Sequence, residues 1–325
     1  MTKFMGFLTL SRFILALACA LAMASAYAQE EGLIDGSTSS ATAEPPPIAG
    51  AWAGSAAANV LLEDGAFIPS RRSPWGVSWF NWANVNMKNY REGSGRLETY
   101  NYLSMDYRLN WESKVSIRPE FYVSGAGKDF FGDDVEGETE MGDIYAQYTH
   151  NSWALLPGDI GLSGSARIYY PNNKFVKQQR QITRLQARLI FQRPLGAGVW
   201  VSYHFRPMYL VQRQQAYLND YFNAKANEHY RLEQWLEFTK PISRNVAVSQ
   251  QFGVEHRRYY DSPANNIEAR TDGFVSMSTS VGWFLNGVSF RGGLSYESKI
   301  ARPDRDSQIY NEAETKYFLM TNVRL

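Results

Sequence analysis

The chain has 325 residues, 44% of them hydrophobic and 20% charged, enough for one large domain or two small ones. Its 33 basic and 32 acidic side chains leave no basic excess to pair with a nucleic acid. A mean hydropathy of −0.38 excludes a bundle of spanning helices, each of which needs about 20 consecutive apolar residues.

Lys3 and Arg12 flank the start of an apolar run from Phe13 to Met23, and the small residues Ala24, Ser25, Ala26 and Ala28 follow. A basic start, a short apolar core and an A-x-A ending predict a secretory signal peptide over 1–28, cleaved after Ala28 or after Ala26. The run is too short for a permanent anchor. The only cysteine, Cys19, lies inside this leader, in Ala16-Leu17-Ala18-Cys19, a poor match to a lipoprotein box. Cleavage removes Lys3 and Arg12 and no acid, leaving an exported chain without disulfide staples.

Residues 29–74 read as a separate, Pro/Ser/Ala-rich segment. Gln29 to Gly50 lacks apolar periodicity and includes Pro45-Pro46-Pro47, which predicts a flexible periplasmic lead. Ala51 to Leu62 is small and apolar but too short to cross a membrane as a helix. Arg71 and Arg72 stand just before the patterned body. The segment is expected either to plug a lumen or to tether an envelope partner, and the residues do not choose between the two.

From Trp75 to the end the pattern has period two. Val199, Val201, Tyr203, Phe205, Tyr209 and Val211 alternate with Ser202, His204, Arg206 and Gln212. Val246, Val248, Phe252 and Val254 alternate with Ser249, Gln251, Gly253 and Glu255. This is strand periodicity, with one apolar face and one polar face, and no helical stretch competes with it. Twelve segments are predicted: 75–88, 96–109, 114–127, 142–153, 160–171, 183–193, 198–214, 229–240, 245–260, 273–285, 288–300 and 313–325. The connections alternate short and long. The short ones are Asn110–Ser113, Ala154–Asp159, Pro194–Ala197, Pro241–Arg244 and Asn286–Gly287.

An even strand number, with short turns at one end and long loops at the other, predicts an all-β, transmembrane up-and-down antiparallel barrel over 75–325. Its strands are longer than the 5–6 residues usual in soluble sandwiches, and a closed cylinder leaves no unpaired edge in lipid. Rings near strand ends (Trp79, Trp82, Tyr169, Tyr170, Tyr209, Tyr259, Tyr260, Trp283, Phe284, Tyr317) read as interfacial girdles. The last strand ends Tyr317-Phe318-Leu319-Met320-Thr321-Asn322-Val323-Arg324-Leu325. It resembles the C-terminal signal that the outer-membrane assembly machinery reads, with Leu325 where Phe or Trp is usual. The body resembles bacterial outer-membrane β-barrels of the small porin type. That resemblance is one of architecture and implies the outer membrane of a Gram-negative bacterium, with lipid, lipopolysaccharide and the assembly machinery as partners.

Parity places Arg108, Arg118, Arg167, Arg184, Arg188, Arg206, Arg231, Arg257, Arg291 and Lys299 inside. It places Asp106, Glu120, Asp143, Glu233, Glu237, Glu255 and Glu297 inside with them. Guanidinium groups grip carboxylates in two-pronged bonds, so one expectation is a narrow channel for small polar or anionic solutes. The other is a self-neutralised, non-conducting scaffold, with Arg118/Glu120, Arg231/Glu233 and Glu255/Arg257 pairing along single strands.

Catalytic patterns are sparse. Of the four histidines, His256 is expected to face lipid near the outer rim beside Val275, Met277 and Thr279, where an outer-membrane phospholipase would need a serine. His150-Asn151-Ser152 falls near a periplasmic turn. Neither G-x-S-x-G nor H-E-x-x-H occurs, so the expectation is no enzyme and no cofactor, with an outer-membrane lipid-modifying enzyme as the last alternative. The loop Asp129–Glu140 carries Asp133, Asp134, Glu136 and Glu138, weak candidates for a divalent ion in a spacing that is not an EF-hand.

Overall fold

A computed structural model describes residues 73–128, 134–218, 224–261, 270–285, 287–300 and 314–324. The leader with Cys19, the segment up to Arg72 and Leu325 lie outside the described residues.

Twelve strands build the barrel. They are β1 (Trp75–Asn86), β2 (Glu98–Arg108), β3 (Ser113–Ser124), β4 (Glu138–Leu156), β5 (Ile160–Tyr170) and β6 (Gln181–Gly196), then β7 (Val199–Gln212), β8 (Glu228–Ser243), β9 (Val246–Tyr259), β10 (Thr271–Leu285), β11 (Val288–Lys299) and β12 (Thr315–Arg324). Each pairs antiparallel with its chain neighbour, and β1 pairs with both β2 and β12, which closes the cylinder. This is the architecture of outer-membrane β-barrels. Closure is what a lipid-exposed sheet requires, since every backbone N–H and C=O then finds a partner within the wall.

Several strands outrun their predicted ends. β4, β6 and β8 continue to Leu156, Gly196 and Ser243, so Ala154, Pro194 and Pro241 lie in strands and not in turns. The two prolines sit beside register shifts at Pro194/Gly196 and Pro241/Ser243. A bulge leaves the ladder locally unpaired, which suits a residue with no N–H to donate. The tight β6–β7 connection is made by Gly196, Ala197 and Gly198, all at positive φ (92°, 49° and 72°), the backbone that short hairpins of this hand require.

The long connections are not entirely coil. A one-turn helix α1 (Met87–Arg91) follows β1, with the Asn86 side chain accepting from the Asn89 N–H at 3.1 Å, and a second, α2 (Lys174–Gln178), follows β5. Period-two reading misses single turns of this length because one turn carries no periodicity. Two small ribbons also stand in these loops: Gly127–Lys128 with Asp134–Val135, and Ala216–Leu218 with Ala224–Ala226.

The packed interior lies inside the cylinder. Phe80, Tyr102, Tyr145, Tyr169 and Ile190 are buried, and so are Arg118, Arg188, Gln147, His204 and Glu237. Large apolar side chains such as Ile117, Ile168, Phe252 and Trp283 are exposed on the outer surface. Polar inside and greasy outside is the inverse of a soluble fold, as lipid demands. One girdle residue is corrected: Tyr169 is only 4% exposed, while Tyr170 beside it is 68% exposed. Two consecutive strand residues face opposite sides, so both rings cannot join one belt.

Candidate functional site

The lumen is built by alternate residues of all twelve strands, and its lining is uneven. Along β1 to β5 the inward rings form a chain. Phe80 stacks on Tyr102 with centroids 4.8 Å apart, and Tyr145 lies 4.7 Å from Tyr169. Guanidinium groups cover these rings: Arg118 is 4.9 Å from the Tyr102 centroid, Arg167 is 5.0 Å from Tyr145 and Arg184 is 3.7 Å from Tyr169. An aromatic face attracts a cation through its quadrupole, so these rings help to hold the arginines in place.

A second cluster joins β6, β7, β8 and β11. His204 stacks on Trp235 at 4.6 Å and 8°, with Arg188 and Arg206 at 5.4 and 5.0 Å from the indole. Arg188 Nη2 approaches His204 Nδ1 at 3.4 Å. On the other side, His204 Nε2 stands 3.8 Å from Glu237 Oε2, and Glu237 accepts from Arg291 at 2.9 Å. All four of Arg188, His204, Glu237 and Arg291 are buried.

Nearer the long-loop end, charges alternate around the wall. Arg206 pairs with Glu233, Arg231 grips Glu228 with two 2.7 Å bonds, Arg257 pairs with Glu255, and Lys299 meets Asp272 at 2.8 Å. Asp143 accepts the backbone N–H groups of Asn172 and Asn173 and faces Arg184 at 3.5 Å. At the short-turn end, Lys114 donates to Asp106 at 3.1 Å, and Arg108 stands opposite Lys114.

The remaining arc, β9 to β11, is lined by small groups. Gly253, Ser276, Ser278, Ser280, Gly293 and Ser295 share the inward parity with Gln251 and Arg291. At mid-height this arc is less bulky than the aromatic and guanidinium lining of β1 to β8, while nearer the long loops it carries Glu255, Arg257, Asp272 and Lys299.

Of the charged residues that parity assigned to the interior, Asp106, Arg118, Glu120, Asp143, Arg188, Glu237 and Arg291 are buried. Arg231 and Glu233 stand 3.9 Å apart, the longest of Arg231's contacts with Glu228, Glu233 and Glu255. Arg118 reaches toward the short-turn end, donating to Ser104 at 2.9 Å and to Gln147 at 3.2 Å, while Glu120 accepts from the Tyr100 hydroxyl at 2.6 Å. Glu297 is 4.0 Å from Arg257 and mostly exposed. Sequence reasoning missed Lys114, Glu228 and Asp272 among the charges, and His204 and Trp235 as a stacked pair. Glu228 and Asp272 each lie one residue beyond the predicted strand end, where a charge looks like loop.

His256 is exposed on the outer face, but its direct partners are Leu232 and Gly273, not the neighbours expected, and neither carries a hydroxyl. His150 sits 3.8 Å from Glu112 at the short-turn end. Of the acidic loop, Asp133 lies outside the described residues, Asp134 is in a two-residue ribbon, and Glu138 is 3.9 Å from Arg96.

No family model matches the chain, and no curated protein matches it. Among solved structures it is similar to an outer membrane channel from Pseudomonas putida F1, at 9% identity over 80% of this chain and 100% of that one, with a TM-score of 0.49. It is also similar to the NanC porin, at 9% identity, 77% and 100% coverage and a TM-score of 0.41. A third is LpxR from Salmonella typhimurium, at 8% identity, 76% and 99% coverage and a TM-score of 0.36. These are likenesses of barrel form alone.

Proposed function

We propose that this chain is a narrow porin-like diffusion channel of the outer membrane of a Gram-negative bacterium, passing small polar solutes with a preference for anions. The observation that supports this most is the uneven lining. At mid-height Gly253, Ser276, Ser278, Ser280, Gly293 and Ser295 fill less of the lumen than the rings and guanidinium groups of β1 to β8, with Arg291 the long side chain among them. On the inner face of β6 and β7 stand Arg184, Arg188 and Arg206, cations that stay charged at any working pH. Parity assigns ten basic against seven acidic side chains to the lumen, and on this reading that excess lets carboxylates gain where cations lose.

Planar-bilayer recording tests the reading. The mature barrel should give ohmic steps whose reversal potential in a salt gradient shows anion preference. Replacing Arg184, Arg188 and Arg206 together with glutamine should move that potential toward cations. Absence of current at any voltage overturns the proposal.

A second reading is favoured by the pairing itself. Asp106–Lys114 and Arg291–Glu237 are buried ion pairs, and such pairs stiffen an interior as readily as they select ions. On this reading the barrel is a scaffold whose residues 29–74 hold an envelope partner. Deleting 29–74 should then abolish co-purification of that partner, and an unchanged complex rejects the idea.

A further inference from the structure

The outer face is largely apolar, and its strand cations stand at the rims. Of the arginines and lysines in the twelve strands, only Arg193, Lys240 and Arg258 have the outward parity, and the first two lie at the short-turn end. Arg258 stands at the long-loop end. Its neighbour Arg257 faces inward and pairs with Glu255, whereas Arg258 is exposed and makes no ion pair among the described residues. A cation on a lipid-facing wall is costly unless it meets water or an anion, and phosphate is the anion that a headgroup layer supplies.

The register sets Arg258 in one lateral row with Tyr209 on β7, Tyr230 on β8 and Thr271 on β10. Beyond this row, toward the loops, His229 stacks on Tyr260 at 4.4 Å and meets Tyr209 edge-on at 5.1 Å. The Tyr260 N–H donates to the Asn227 carbonyl at 3.0 Å, and Asn227 is buried, so this aromatic lip is fixed to the wall. Toward mid-height the same strands turn apolar. Leu232 and His256 form the next step, and then Val254 lies beside Val275, 39% and 38% exposed, with Phe252 at 46% beneath them.

From this vertical order of aromatic lip, guanidinium row and apolar wall, we infer that the outer face of β7 to β10 holds a phosphorylated glycolipid of the outer leaflet. Arg258 grips its phosphate with paired N–H donors, and the Tyr230 and Thr271 hydroxyls stand beside that group. The sugar head lies against the rings of the lip, where aromatic side chains with one wet and one apolar end belong. The acyl chains run down over Val254, Val275 and Phe252. This site shares with the proposed function only the placement in the outer membrane, and it stands whether or not the barrel conducts.

The test uses the purified full mature chain in non-ionic detergent, with bound lipid counted by native mass spectrometry. Lipid A carrying both phosphates is titrated beside the same lipid with its phosphates removed. The phosphorylated form should fill one saturable site and bind about tenfold tighter than the other. Arg258→Gln should lose about that factor and no longer distinguish the two lipids. Inorganic phosphate in excess should not displace the lipid, because the acyl chains hold it as well. Equal binding of the two lipids by the wild type overturns the inference, and that comparison needs no variant to fold. An Arg258→Gln variant that binds as wild type does overturns it too, since the lipid would then sit elsewhere. So does displacement by inorganic phosphate, which would leave a plain anion site without a lipid.

Discussion

Arg291 on β11 donates to Glu237 on β8 at 2.9 Å, across the two strands that lie between them in the wall. Only the concave side of a closed sheet lets side chains that far apart in the ladder meet. Both are buried, so neither charge has water to fall back on. Glu237→Ala strands the Arg291 guanidinium and should cost about 3–5 kcal/mol. Urea unfolding of the refolded barrel in lipid vesicles checks this, and a loss below about 1 kcal/mol would mean that water reaches the pair.

Glu297 makes the opposite case. Its side chain is 60% exposed and its pair with Arg257 is 4.0 Å long. Solvent screening leaves little of such a contact, so Glu297→Gln should change stability by less than about 0.5 kcal/mol. The same unfolding assay, run beside Glu237→Ala, separates a pair that holds the wall from one that merely lies near it.

Gly164 on β5 lies beneath Trp153. A Cβ there would press on the Arg188 carbonyl across the ladder and sit 3.1 Å from Trp153 Cζ3. The ring covers a backbone that only glycine leaves open. Gly164→Ala should destabilise the barrel by about 1–3 kcal/mol, and Trp153→Ala should weaken that dependence. A double-mutant cycle measures the coupling, and additive effects would break the link between the two residues.

Tyr260, just past the end of β9, stacks on His229 at 4.4 Å, and burial together with the neighbouring Tyr209 pushes its hydroxyl up to about 12. The folded state thus holds this proton more tightly than the unfolded chain, whose tyrosines ionise near pH 10. Its contribution to stability is complete below pH 10 and is lost as pH rises through about 12. Stability of Tyr260→Phe should therefore fall less steeply than wild type over that window. Identical slopes would show that the hydroxyl titrates normally.

Strand alternation is a local property, and it was legible along the whole body. Arg118, Glu237 and Arg291 each occupy the polar phase of their own strand, so their inward direction needs no knowledge of any other strand. The alternation of brief turns and long loops likewise yields twelve strands and a common orientation. The same rule, pressed further, separates Tyr169 from Tyr170. Strand ends were less visible, because charges at the mouth, such as Glu228 and Asp272, imitate loop composition.

Who meets whom inside was not legible, because it depends on how far each strand slides past its neighbour before the sheet closes. Glu120 is two residues from Arg118 on the same face, and the stagger of β4 brings Gln147 to that guanidinium. His204 met Trp235 through the register of β7 on β8, and Arg291 met Glu237 only through the curvature of the finished cylinder. The residue alphabet and its period assign each side chain to oil or to lumen, since a pleated strand has just two faces. Pairing among the lumen groups is a long-range matter, settled by the register between strands and the curvature of the wall, because those bring side chains distant along the chain together.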